Sequence, residues 1–450
     1  AGGDHQGGDD ARHRPGPERT QQDGTPSRRL RIVVAGGRGM IGGAVARRLR
    51  QAGHEVVLAG RGQGVDLALD FNALPPQGEL VRRLRGHDVL VNAVGIFQAQ
   101  AQQSFNAVHV KAVAALFGAA VQAGIGRLLH VSALGAELGG STAYFDSKGR
   151  AEVLLRQLPA PVVIVRPSLV FSPQGASSRF FLGLATWPLL LLPGGGRQPV
   201  QPLHLDDLAE ALARLATCAE PPDTLEAVGP RPLPLRDYLR ELGAALGRAP
   251  RVASLPMAPL RPLLPLAARL SGGLVGADAL RMLEAGNTGD PDGITAVLGR
   301  PPRDPSVFIA APEAARLRAG LRLRRAVLAL RVSLAAMWLG TAWVSLWGYP
   351  REASHALLAR VGLHGGVAEA ALWSGALLDA LLGIAMLLLP RRRPVYYAQL
   401  ALMAGYTVLI SLWLPEFWLH PFGPLLKNVP IAGAILALIL LDRAHGPGDR

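Results

Sequence analysis

The stretch RIVVAGGRGMIGGAVARRL, Arg31 to Leu49, decides the fold. It sets an apolar, β-branched run directly before a glycine loop and a helix-forming run directly after it. Gly36, Gly39 and Gly42 are spaced G-x-x-G-x-x-G, and Gly37, Gly39 and Gly42 spell G-x-G-x-x-G inside it. Without Cβ atoms, such positions permit a tight turn and close approach of backbone to a pyrophosphate. The helix that opens at Met40 and Ile41 then aims free N–H groups and its positive dipole end at that anion. Set between a strand and a helix, the spacing predicts a dinucleotide-binding crossover.

Outward from that loop, short β-rich runs alternate with helix-length segments. The runs are Leu30–Ala35, Glu55–Ala59, Val65–Leu69, Asp88–Ala93, Arg127–Val131 and Pro161–Val165. Helical apolar spacing lies between them, as in Ile41–Ala52 and Ala107–Ala123. This alternation predicts an α/β domain over residues 29–170, a doubly wound parallel sheet covered on both faces. Residues 171–312 are richer in Pro and Leu. They read as a small appended substrate-side region that closes over the sheet's C-terminal edge, where such folds bind ligands.

The second strand bears on the cofactor. An NAD site places Asp or Glu near its end to hold the ribose 2′-OH. Here HEVVLAGRG (His54–Gly62) carries Arg61 just past the strand, and Arg38 sits inside the glycine loop. Two guanidiniums there favour a 2′-phosphate, so NADP(H) is expected over NAD(H). Asp70, after the third strand, is read as an adenine contact or a turn residue.

TAYFDSKGRAE (Thr142–Glu152) holds Lys148, one of the three lysines in the chain with Lys111 and Lys427, four residues after Tyr144. On a helix the two share a face. The ammonium is expected to lower the phenol pKa, so that the pair moves the proton that accompanies hydride transfer. Lys148 can also hold the nicotinamide ribose. Ser132, twelve residues before Tyr144, is expected to hydrogen-bond the substrate oxygen.

Composition adds a second theme. The chain has 450 residues, too many for one ordinary core, and combines 49% apolar content with a net charge of +14. The arginines are spread along it with no aromatic–basic platform, which argues against nucleic acid as a partner. A single Cys218 excludes an intrachain disulfide, and no metal-ligand cluster is expected. Residues Ala1 to Arg28 lack apolar periodicity and any apolar leader core, and read as a disordered tail.

Four apolar runs follow residue 325: Ala326–Trp347, Val367–Leu389, Val395–Leu414 and Pro424–Leu441. Each is long enough to span a bilayer. Arginines precede the first (a basic linker, residues 313–325), separate the second and third (Arg391–Arg393) and follow the fourth (Arg443). That pattern predicts four crossings in a bacterial-type inner membrane, with both termini and the α/β domain cytoplasmic. Arg331, Glu369, Asp379 and Lys427 lie within these runs; either a carboxylate pairs with Arg331 or Lys427 inside the bundle, or Arg331, Glu369 and Lys427 snorkel to the interface, while Asp379 is expected to need a buried partner or a proton role.

Several stretches together resemble a known family: LVNAVG (Leu90–Gly95), HVSALGA (His130–Ala136), the Tyr144–Lys148 pair, VRPSLVF (Val165–Phe171) and PGGGRQPVQPLHLDDLAEA (Pro193–Ala211). From Leu30 to Ile309 the chain is similar to extended or atypical short-chain dehydrogenases/reductases. The nearest subgroup holds the NADPH-binding accessory subunit of respiratory complex I. The resemblance implies a Rossmann fold, with Asn92, Ala93, Val94 and Gly95 bordering the cofactor and Pro167 and Ser168 beside the nicotinamide. SPQGASSRFF (Ser172–Phe181) departs from the usual Gly-Pro and acidic continuation, which concerns the substrate side. With PFGPLLKN (Pro421–Asn428), the last third resembles DoxX-like membrane domains.

The expected function is a membrane-anchored, NADPH-dependent reductase of a carbonyl or quinone-like, lipophilic substrate. A membrane redox complex, a quinone or membrane lipid would be its partners. The complex I relative keeps both Tyr and Lys in a structural nucleotide-binding role. The rival class is therefore a non-catalytic NADPH-binding structural or redox-sensing protein. Nucleotide-sugar epimerase or dehydratase activity is the weaker alternative.

Overall fold

The β-branched run before the glycine loop forms β1 (Arg31–Ala35), and the run after it forms α1 (Met40–Gln51). This computed structural model describes residues 28–97, 103–256 and 276–442, with residues 2, 3, 262 and 265. The expected tail, but for residues 2, 3 and 28, and the expected flanking Arg443 lie outside the described residues. The chain divides into two compact units that meet between Ala310 and Ala311.

In the first unit, β1 pairs in parallel with β2 (Glu55–Gly60) and β4 (Val89–Asn92), and β2 pairs with the short β3 (Leu67–Ala68). Beyond β4 come β5 (Arg127–Val131) and β6 (Val162–Pro167), also parallel. Strands run outward from β1 in both directions, so the loops after β1 and β4 open a crevice between them, the usual ligand position of an open α/β sheet. Alternate residues face opposite layers: Val34, Leu129 and Val165 pack with Val45 and Leu49 of α1, while Val33, Leu90 and Leu128 pack with Leu80, Leu116 and Phe117. Both faces are buried, hence the near-continuous apolar strands.

The helix read over residues 107–123 is in two parts. A wide, π-type turn at Asn106–Lys111 leads into α3 (Ala112–Gln122); α2 is Gln77–Leu84. Such turns carry one extra residue per hydrogen bond and favour functional positions. Next, α4 (Ala143–Arg156) begins where Thr142 Oγ1 accepts from Phe145 N at 3.3 Å. That cap sets the helical phase of Tyr144 and Lys148.

The boundary expected at residue 170 is not clean. After it, β7 (Val170–Phe171) and β10 (Leu203–His204) pair in parallel, α5 spans Ala176–Ala185, β8 (Leu189–Pro193) pairs with Arg251–Leu255, and β9 (Pro199–Val200) pairs with Leu233–Pro234. Then α6 (Leu205–Thr217) packs on α1, and β11 (Thr224–Ala227) returns to the main sheet beside β6. The sheet thus has seven strands, in the order β11-β6-β5-β4-β1-β2-β3. Asp206 and Asp207 occupy the first turn of α6, where a dipole favours acid; wholly buried Asp207 accepts from Arg300 Nη2 and Arg303 N, each at 2.8 Å.

In the second unit, the arginines expected as a linker lie inside one unbroken helix, Ala311–Trp343. Among the described residues, three helices are long and apolar enough to cross a membrane: Ala311–Gly348, Gly365–Leu388 and Arg393–Trp413. The fourth expected crossing is helical only over Asn428–Leu441, 14 residues. That is about 21 Å against roughly 30 Å of hydrocarbon, because the residues before it form turns. Leu334, Trp338, Met386, Tyr396, Ile435 and Leu438 make the packed interior. Arg331 pairs with Asp442 and donates to Tyr396 Oη at 3.1 Å, so its partner is not one of the expected carboxylates. Glu369 pairs instead with Arg351 (2.7 Å) and His355 (2.8 Å). Buried Asp379 leaves Oδ1 without a partner among the described residues.

Candidate cofactor and proton-transfer site

The glycine loop is built for close backbone approach. Gly36 has φ +74°, and a Cβ there would lie 3.0 Å from the Ala93 backbone. A Cβ on Gly42 would lie 2.3 Å from Gly36 O, and one on Gly37 2.8 Å from Leu58 Cδ2. Gly39 caps α1 without a side-chain acceptor, and no acid occupies the first turn. The leading N–H groups of α1 and its positive end therefore face an opening of about 390 Å³ lined by Arg38, Gly39, Met40, Arg47 and Gln174. Such a cradle fits a dinucleotide diphosphate. Ile41 is half-buried against the core. The SPQGASS loop folds onto this opening, since a Cβ at Gly175 would meet Met40 Sδ at 2.9 Å.

Of the two arginines of the expected 2′-phosphate site, Arg61 lies on the loop after β2, and Arg38 reaches that loop from the glycine loop after β1. Arg38 Nη1 donates to Gln63 O at 2.6 Å. Arg61 Nη1 is 3.9 Å from Asp70 Oδ1, and Gln103, with its amide oxygen turned inward, accepts from Arg61 Nη2 at 2.6 Å. Asp70 also accepts from Asn72 N at 3.0 Å. Its Oδ1 thus serves both a turn and an ion pair.

At the other side of the crevice, Asn92 is buried, its Oδ1 accepting from Val94 N at 3.1 Å and its Nδ2 lying 3.1 Å from His130 Nδ1. Ala93 N donates to Ala35 O at 3.0 Å, which ties the two loops that flank the crevice. A Cβ on Gly95 would meet Lys148 Nζ at 3.5 Å and His109 Nε2 at 3.6 Å. Glycine leaves that approach open.

Lys148 is 3% exposed, and its Nζ donates to Val131 O at 3.0 Å. Burial pushes its pKa down to about 8, partly opposed by Glu152. Tyr144 sits among Phe97, Phe105, His109 and Phe145, with ring centroids 5.5–6.0 Å apart. Burial pushes its phenol up to about 12. The expected lowering by Lys148 is therefore corrected: desolvation of the phenolate outweighs the ammonium one turn away.

Ser132 departs from expectation too. Its Oγ donates to Glu152 Oε1 at 2.6 Å, and Glu152 also accepts from Arg166 Nε and Arg156 Nη2 at 3.0 Å each. The one hydroxyl proton is committed there and not to a substrate oxygen. Ser168 Oγ donates to Gln201 O at 2.5 Å, and Pro167 O accepts from Leu134 N at 2.9 Å. Both fasten the loops after β5 and β6. The motifs missed Glu152, Arg166, Arg47 and His109; a histidine on the apolar face of FNAVHV (Phe105–Val110) was the available signal for the last.

Comparison with known proteins agrees with this geometry. Residues 32–226 match the NAD dependent epimerase/dehydratase family, and residues 335–436 match the DoxX-like family. The mitochondrial NADH-ubiquinone oxidoreductase 40 kDa subunit of Neurospora crassa is 24% identical over 247 residues, 51% of this chain and 64% of that protein. The mitochondrial NADH dehydrogenase (ubiquinone) 1 alpha subcomplex subunit 9 of Mus musculus is 26% identical over 199 residues, 40% of this chain and 51% of that protein. The chain thus spans less than two thirds of the length of these two relatives. A nucleoside-diphosphate-sugar epimerase from Staphylococcus aureus shares the fold, with TM-score 0.51 at 15% identity over 62% of this chain and 99% of that one. The chain therefore joins an epimerase-type, short-chain dehydrogenase/reductase-like Rossmann domain to a C-terminal DoxX-like region.

Proposed function

We propose that this protein is a membrane-anchored oxidoreductase that uses NADP(H) in preference to NAD(H) and reduces a carbonyl or quinone-like, lipophilic substrate. The observation that carries the reading is Tyr144 one helical turn before the buried Lys148, whose Nζ approaches Gly95 on the loop after β4. Bound NADPH would supply the hydride to the substrate carbon. Tyr144 gives the proton to the oxygen that receives the carbonyl electron pair, and solvent restores it. A phenol near 12 stays protonated at working pH, which suits donation and hence the reductive direction. Lys148 holds the ribose. Polarising the substrate oxygen falls to Tyr144, because Ser132 is engaged by Glu152.

Arg38 and Arg61 beside one ribose position support the cofactor preference. The charge pattern supports a bacterial-type inner membrane with the Rossmann unit cytoplasmic; both termini lie on that side only if residues 424–427 help the short last helix to cross. Likeness to subunits named for NADH–ubiquinone chemistry supports a membrane redox partner. The same likeness favours a second reading, nucleotide held without turnover.

The test uses detergent-purified protein and intrinsic NAD(P)H fluorescence. NADPH should bind at least about tenfold tighter than NADH, and Arg61→Asp should erase the difference; equal affinities in the parent overturn the preference. With menadione as acceptor, Tyr144→Phe should slow NADPH oxidation by roughly 10²–10⁴-fold and leave NADPH affinity intact. An unaltered rate sinks the mechanism. Tight NADPH binding with no oxidation by menadione or simple aldehydes selects the second reading.

A further inference from the structure

His109 is wholly buried on the π-type turn Asn106–Lys111, and no step above uses it. Its Nε2 lies 3.0 Å from Ile96 N and its Nδ1 2.9 Å from Ser147 Oγ, which lies 2.7 Å from Tyr144 O. The direction of this chain is set by its ends. A backbone N–H can only donate, so Nε2 is bare and accepts from Ile96. Nδ1 then carries the proton and donates to Ser147 Oγ, whose own proton goes to the Tyr144 carbonyl.

We propose that His109 is a positioning residue of the proton-transfer site, holding the loop after β4 at a fixed distance from the turn of α4 that carries Tyr144 and Lys148. This rests on the oxidoreductase reading of the same site. Three further observations support it. The ring meets Tyr144 edge-on, centroids 5.7 Å apart and planes at 81°, and stacks on Phe105 at 5.5 Å, so it braces the phenol laterally as well. Gly95 lets Lys148 Nζ and His109 Nε2 approach the same point of the β4 loop. Burial and the nearby Lys148 charge hold the His109 pKa at about 3, so the Nε2 lone pair stays available across working pH. The wide turn has a local reason in this arrangement, since an imidazole must reach two segments 13 and 38 residues away.

The test compares His109→Leu, His109→Gln and Ser147→Ala in the full-length protein. Leucine fills the volume without hydrogen bonds; glutamine can again accept from Ile96 N and donate to Ser147. With menadione as probe, His109→Leu and Ser147→Ala should lower kcat at least about tenfold, as expected for a catalytic group displaced by a fraction of an ångström. NADPH Kd and the menadione KM should change less than about threefold, and His109→Gln should recover most of kcat. Emission of bound NADPH senses the nicotinamide end without turnover and should shift in His109→Leu and Ser147→Ala but not in His109→Gln. Folded variants that keep both parental kcat and parental emission overturn the proposal. So does a folded glutamine variant as impaired as leucine. If His109→Leu does not fold, Ser147→Ala decides alone. A parent that binds NADPH yet never oxidises it defeats the oxidoreductase reading, and the emission comparison then decides the placement of His109.

Discussion

Replacing Glu152 with leucine should lower the first melting transition by roughly 6–15 °C, the largest loss expected from a single substitution outside the cofactor loop. Glu152 is 1% exposed, and its two oxygens accept hydrogen bonds from Ser132, Arg156 and Arg166. Burying a carboxylate is costly, and here the cost is offset by donors that fill its lone pairs. Removing the carboxylate leaves Arg166, whose side chain is 25% exposed, and the buried Ser132 hydroxyl without their partner. Stripping one member from a buried pair typically costs about 3–5 kcal/mol. The Arg156 side chain, 49% exposed, is held against water, so Arg156→Ala should cost no more than about 1 kcal/mol. Thermal melting of the three proteins in one detergent checks this. A leucine variant that melts within about 2 °C of the parent would show that the carboxylate is not stabilising the site.

Acid should destabilise the Rossmann unit earlier and more steeply than its carboxylates alone require. His109 titrates near 3 in the folded chain because burial, and secondarily Lys148, disfavour imidazolium. His130 is held well below its usual value for the same reasons, with His109 itself a smaller cause. Below the unfolded value of about 6.5, the unfolded chain binds protons that the folded chain refuses. Stability therefore falls as pH drops from about 6.5 toward 3. His109 alone accounts for a loss of up to about 5 kcal/mol over that window, at 1.36 kcal/mol per pKa unit. Lys148 acts at the other end. Its folded value near 8 lies below the unfolded value of about 10.4, so a penalty of about 3 kcal/mol is present below pH 8 and relieved as pH rises to about 10.4. Denaturant titrations of parent and His109→Gln between pH 4.5 and 7 check the acid arm. The variant should show the shallower decline, and parallel curves would contradict the assignment.

The glycine loop, six strands of the sheet and the placement of Tyr144 on a helix with Lys148 were legible because each is written locally. Period-two burial, a Cβ-free turn and an i,i+4 pair need no distant residue to be recognised. What escaped is written between distant positions. The apolar pattern of residues 107–123 fits an uninterrupted α-helix as well as a wide turn, and only the ring of His109 reaching Ile96 and Ser147 distinguishes them. Ser132 lies at the end of β5 as motif reading requires, yet the direction of its hydroxyl depends on Glu152, 20 residues on. The Tyr144–Lys148 spacing on one helix was legible while the net direction of the phenol's shift was not, since spacing carries no information on how far a phenol is withdrawn from water. The last apolar run was long enough in composition, but hydropathy does not register that residues 421–427 turn before the helix begins at Asn428.

One consequence of the sheet order concerns biosynthesis. The rung that completes the sheet beside β6, Thr224–Ala227, is separated from Pro167 by 56 residues. At translation speeds of about 5–20 residues per second, the β6 margin waits roughly 3–11 seconds for its neighbour. During that interval a bare parallel margin offers itself to any passing strand, while the apolar helices destined for lipid have not yet left the ribosome. Slow codons before Thr224 would lengthen the exposure, and a chaperone that shields nascent chains would have its clearest opportunity there.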